Sequence, residues 1–167
     1  MRLSLLALTG AAIAAASEYD RPDFTGAYWD VSVSTQTGRP GYTITDFSAS
    51  FHSPLASQAV EGKCHYSFVP QGTSPPAETN ECTGGLKYEW NYTNVTFLEH
   101  TVVLGNETVL MFGLSTKIET TRRSDGMSST TTGSGKVGIS HYCGYGGCGY
   151  ANGCISSECN AKKTGGA

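Results

Sequence analysis

The chain has 167 residues, 11 basic against 14 acidic side chains, and a formal net charge of −3 with histidine neutral. Its lysines and arginines are scattered, the doublets being Arg122-Arg123 and Lys162-Lys163, so it lacks the clustered cations whose counterion release drives nucleic-acid binding. Charged residues make up 15% of a chain of single-domain length, a size at which one modest core can form.

Arg2, the apolar run Leu3 to Leu8 and the alanine-rich stretch ending Ala14-Ala15-Ala16-Ser17 read as a signal peptide over residues 1–17, with cleavage after Ala16 or Ser17. The apolar part is shorter than the roughly 20 residues that span a bilayer. A secreted, extracellular chain without a membrane anchor is therefore expected, one domain over 18–160 and a disordered tail over 161–167. Loss of Arg2 makes the mature domain slightly more acidic.

Strand periodicity begins at Trp29, Val31 and Val33, which share one face opposite Asp30, Ser32 and Ser34. Arg39-Pro40-Gly41 makes a turn. In the next run Tyr42 and Ile44 hold one phase while Phe47, Ala49 and Phe51 hold the other, so a β-bulge is expected at Thr45-Asp46. Cys64 opens a run in which Tyr66 and Phe68 alternate with His65 and Ser67, and Pro70 to Glu78 reads as a Pro/Gly-rich loop. After Cys82, Leu86, Tyr88, Trp90 and Tyr92 occupy one face of a strand.

Gly105-Asn106 separates two β-branched runs and predicts a tight hairpin, because Gly and Asn accept positive φ at low cost. It sets Val102 opposite Val109 and Val103 opposite Thr108. From Arg122 to about 135 the Ser/Thr-rich composition reads as a flexible exposed loop. Arg122-Arg123 is a solvated pair or, alternatively, a dibasic processing site. Val137 and Ile139 belong to a last strand before a cysteine-rich tail. The predicted class is all-β: a single compact antiparallel β-barrel or sandwich with a disulfide-braced C-terminal loop.

Six cysteines follow the leader: Cys64, Cys82, Cys143, Cys148, Cys154 and Cys159. An even number in an exported chain points to disulfides, and the tail spacing lacks the paired C-x-x-C of structural zinc sites. No metal or cofactor is expected. Cys64 and Cys82, at the ends of consecutive strands, are expected to pair. The tail allows three connectivities, of which Cys143 with Cys154 and Cys148 with Cys159 is preferred. Three sequons, at Asn91, Asn94 and Asn106, mark surface positions for glycans in that compartment. Asn106 is the best acceptor, and at most one of Asn91 and Asn94 is expected to be used.

Taken together, Tyr28-Trp29 with Val31 and Val33, the turn at Gly38-Arg39-Pro40, the aromatic strand Tyr42 to Phe51, Cys64, Cys82 ahead of an aromatic-rich strand, and Tyr142-Cys143 resemble the fungal AA1-like family, named for the major Alternaria allergen. The resemblance extends to about residue 155. It implies a small secreted β-barrel acting as an allergen, or as an effector or elicitor recognised by plants, and supplies no catalytic residues. Two features depart from the family: no cysteine precedes Cys64, where the family can link subunits, and the tail carries two additional cysteines.

Catalytic motifs fail. There is no Gly-x-Ser-x-Gly. Gly133-Ser134-Gly135-Lys136 lacks the first glycine of a phosphate loop and the Ser/Thr after its lysine. The histidines His52, His65, His100 and His141 are dispersed, and Glu89, His100 and Arg122 form an acid–base–cation set only if folding unites them. The aromatic residues read first as core. Tyr142, Tyr145 and Tyr150, set among glycines in a braced loop, are the candidate partner-binding residues. The expected function is a glycoprotein that binds a host extracellular partner, with a carrier of a small apolar ligand or a small hydrolase or ribonuclease as alternatives.

Overall fold

The computed structural model describes residues 22–151 apart from residue 73. The expected signal peptide over residues 1–17, Cys154, Cys159 and the expected tail over 161–167 lie outside the described residues. The described residues form eleven strands: β1 Tyr28–Gly38, β2 Tyr42–His52, β3 Val60–Gln71, β4 Ser74–Cys82, β5 Leu86–Trp90, β6 Asn94–Leu104, β7 Glu107–Gly113, β8 Thr116–Lys117, β9 Glu119–Ser124, β10 Ser128–Gly144 and β11 Gly147–Tyr150. Among the described residues there is no helix. The strands run antiparallel in the order β4-β3-β2-β1-β10-β7-β6-β5, while β9 and β11 pair with β10 and β8 pairs with β6. The result is an open, curled sheet, half of a barrel.

Strand β10 joins the two halves. Its first part pairs with β1 and β9, and its last part with β7 and β11. The pairing with β7 shifts between Ile139 and His141. One extra residue there inverts the alternation, so Thr131, Gly133, Val137 and Ile139 are buried before it and Tyr142 after it.

The inner face forms the core. Trp29, Phe51, Val95, Val102, Val109, Met111 and Val137 are fully buried. Trp29 packs on Phe51 with ring centroids 5.4 Å apart, and Phe47 of one half stacks on Tyr88 of the other at 4.0 Å. Close approach depends on Gly133 and Gly135, where a Cβ would come within 2.9 and 2.8 Å of Ile118. The glycines that imitate a phosphate loop in the sequence are packing positions.

Several expectations hold. Trp29, Val31 and Val33 face inward, Val102 lies opposite Val109 and Val103 opposite Thr108, and Cys64 is bonded to its cross-strand neighbour Cys82. Others are corrected. There is no bulge at Thr45-Asp46: β2 keeps one register with β1 and β3 throughout. Thr45 takes the inward position that an apolar residue was expected to fill, and its hydroxyl bonds to that of Thr35 at 3.0 Å.

The supposed loop from Pro70 to Glu78 is mostly strand. Pro75 and Pro76 are tolerated because β4 is an edge strand with every residue exposed. The 122–135 segment, read as a flexible loop, forms the β9–β10 hairpin, since its threonines gain partners on β1. Tyr92 leaves the strand face in a left-handed conformation, φ 68°, and is half exposed.

The tail pairing is also corrected: Cys143 is bonded to Cys148. Tyr145 and Gly146, both at positive φ, make a two-residue turn between β10 and β11 that sets these cysteines opposite each other. A tyrosine at positive φ carries no sequence signal, and the register stayed hidden with it.

Candidate functional site

Because β1, β2, β3, β4, β9 and the first part of β10 lie side by side, their outward side chains fall into rows. One row reads Thr121, Thr132, Ser34, Asp46, His65, Glu81 along successive register pairs. The adjacent row reads Glu119, Ser134, Ser32, Ser48, Lys63, followed by Thr83, whose amide donates to the Lys63 carbonyl. Alternation turns every second residue outward, and here nearly all of those are polar.

The two rows line a groove of about 670 Å³ across the outer face. Val33, Phe47 and Cys64 border it as well, but their side chains belong to the core, so they and Gly133 contribute main chain. His65 Nδ1 is 2.7 Å from Asp46 Oδ1, and the Ser32 and Ser48 hydroxyls are 2.8 Å apart. Asp46, Glu81 and Glu119 outnumber Lys63 as fixed charges, which makes the groove net acidic. Its hydroxyls and carboxylates suit a partner that brings hydrogen-bond donors or basic side chains.

The chemistry available at His65 is limited to an oriented ring. Asp46 supplies the carboxylate that orients a general base, yet no hydroxyl is hydrogen-bonded to this imidazole among the described residues. The other histidines are apart from it. His52 stacks on Tyr28 at 5.0 Å and reaches Asp30 at 3.2 Å, while His141 stacks on Phe112 at 4.2 Å.

His100 is wholly buried, and its Nδ1 accepts the Trp29 indole N–H at 3.2 Å. Its Nε2 is turned toward the Gly84 backbone outside hydrogen-bond geometry. Burial pushes the ring's pKa down, against a smaller upward pull from Gly84. Glu89 is exposed and Arg122 lies on the exposed strand β9; no hydrogen bond or ion pair joins them to His100. The acid–base–cation set is not assembled.

Of the proposed partner-binding tyrosines, Tyr142 is a core residue, 2% exposed and edge-on to Phe24 at 4.8 Å. Tyr145 is half-buried against the core, its phenol pKa raised by burial and then by Glu107. Of the three, Tyr150 is the exposed one, at 42%. The order β10–turn–β11 turns Tyr142 inward through the same phase inversion at Ser140, which its glycine-rich surroundings concealed.

The sequons occupy different settings. Asn106 is exposed at the β6–β7 turn, where Gly105 takes φ 62°. Asn91 is exposed too, but its Oδ1 accepts from the Thr93 amide, the Thr93 hydroxyl and the Asn94 amide, closing an Asx turn. Asn94 is half-buried at the start of β6. Among the described residues no cluster of three or more His, Cys, Asp or Glu is placed to hold a metal ion. Comparison with protein-family models, curated proteins and solved structures finds nothing that matches the chain.

Proposed function

We propose that this chain is a secreted, disulfide-braced binding protein of AA1-like type, an effector or elicitor that engages a basic surface on a host extracellular protein through the outer groove. The observation that carries this reading is the groove itself: six strands present two polar rows that are together net acidic. Two cross-strand disulfides suit an oxidising compartment, in keeping with the leader. A glycan on Asn106 would sit at a hairpin tip away from the groove-lining residues.

Neither alternative is as well supported. An apolar carrier needs an empty interior, and here Trp29, Phe51, Leu98 and Met111 occupy it. A hydrolase centred on His65 has an orienting carboxylate and no bonded nucleophile.

The experiment compares the secreted protein with an Asp46→Lys/Glu81→Lys double variant and with His65→Ala, by capture from plant apoplastic fluid and by leaf infiltration. Reversal of two carboxylates that line the groove should lower both capture and response at least tenfold. His65→Ala should keep the response within about threefold, since binding energy is spread over an interface. A folded double variant with full response would overturn the groove. Loss of response in His65→Ala with capture intact would replace binding by hydrolysis.

A further inference from the structure

All three arginines of the described residues, Arg39, Arg122 and Arg123, lie at one end of the half-barrel, in the β1–β2 turn and on β9. Arg122 borders two contiguous cavities there, of about 360 and 390 Å³, and Arg39 borders the second. No carboxylate lies within 4 Å of either Arg39 or Arg122 among the described residues. Asp125, in the nearby turn, is occupied by the amides of Met127 and Ser128 and by the Ser128 hydroxyl. In a chain of net charge −3, two unpaired guanidinium groups facing one opening form a local reversal of sign that attracts anions.

The remaining lining narrows the chemistry. The first cavity is walled by hydroxyls, among them Thr35 and Thr131, which are 2% and 7% exposed. Thr35 bonds to Thr45, and Thr37 bonds to Ser129, each at 3.0 Å. A hydroxyl pair that shares one hydrogen keeps one donor and spare lone pairs for a ligand. Tyr92, in the turn that Asn91 closes, borders the same opening with a half-exposed ring.

We propose that this open end binds an acidic saccharide of at least two uronic residues, with Arg122 and Arg39 taking successive carboxylates. The threonine and serine hydroxyls meet the ring hydroxyls, and Tyr92 covers an apolar face of one ring. A fatty acid would require apolar walls, and a bare phosphate would leave the hydroxyl floor unused. The site is on the inner side of the sheet, separate from the outer groove, and does not depend on the function proposed for that groove.

Calorimetric titration of the full secreted protein with trigalacturonate, neutral galactotriose and inorganic phosphate tests the assignment. Trigalacturonate should bind, and galactotriose and phosphate should bind at least tenfold more weakly. Arg122→Gln should weaken the acidic trimer at least tenfold and Tyr92→Ala about threefold. Arg123→Gln, which removes the same charge from the opposite face of β9, should change it less than twofold. Equal binding of the neutral trimer, phosphate as tight as the acidic trimer, no binding of any of the three, or equal losses in the two arginine variants would each overturn the proposal.

Discussion

The interior of the half-barrel ends in two different ways. At one end Phe24, Val109, Met111 and Tyr142 are buried, and the chain before β1 closes over them through the Phe24 amide bonded to the Ala151 carbonyl at 2.8 Å. At the other end the equivalent inward positions of β1, β2 and β10 are Thr35, Thr45 and Thr131. The same three strands therefore pass from an apolar core to a hydroxyl-lined opening. Inward orientation does not require apolar residues: the buried Thr35 and Thr45 hydroxyls partner each other. The closed end is apolar core, and the open end is lined by hydroxyls.

The largest effect that would sharpen this contrast is expected at Trp29. Trp29→Ala removes the indole between Phe51 and His100 and should cost about 3–5 kcal/mol by the large-to-small core rule, read from urea unfolding at neutral pH. A loss under about 1 kcal/mol would show that the core does not depend on this ring.

A smaller loss, tied to pH, is expected from His100. Its pKa in the folded chain lies below the usual 6.5 because burial disfavours the charged ring, whereas the unfolded chain protonates normally. Protons thus bind the unfolded state more readily, and stability falls as they do. The contribution is complete above about pH 6.5 and is lost as pH falls from there toward the lower folded value. Unfolding free energies measured between pH 7.5 and 5 should decline in the native protein, and the decline should be shallower in His100→Gln. Parallel pH profiles would remove His100 from this role.

The smallest effect belongs to the open end. Thr45→Val breaks the Thr35–Thr45 hydroxyl pair and should cost about 1 kcal/mol, whereas Thr35→Val/Thr45→Val should come close to the native stability because neither hydroxyl is left alone. The double-mutant cycle isolates the pair. If the double variant loses the sum of the two single losses, the hydroxyls contribute independently and the contrast between the two ends weakens.

How much of this was legible in sequence depended on the distance over which each signal acts. The β1 alternation, the Gly105-Asn106 hairpin with its register and the Cys64–Cys82 pairing follow from local pattern. Thr45 misled because a threonine in a buried phase looks like a register slip until Thr35 stands opposite it. The prolines of β4 looked like loop because proline signals a turn, although their partner is the preceding strand, and the threonines after Arg122 looked like loop because their partners on β1 are remote. The groove was invisible: Ser34, Asp46, His65, Glu81, Thr121 and Thr132 are ordinary solvated residues one by one, and only the order of six strands sets them in a row. The phase inversion in β10, which buries Tyr142, had no local marker.

Strand β4 has a consequence of another kind. It ends the open path of the sheet, and such an edge is a template onto which other chains add strands. Here Pro75 and Pro76 have no amide hydrogen to offer, Glu78 and Glu81 put charge along it, and every side chain is exposed. The opposite terminus, β5, spans only five residues and carries Lys87 and Glu89. Both termini of that path thus carry features that disfavour the addition of a further strand.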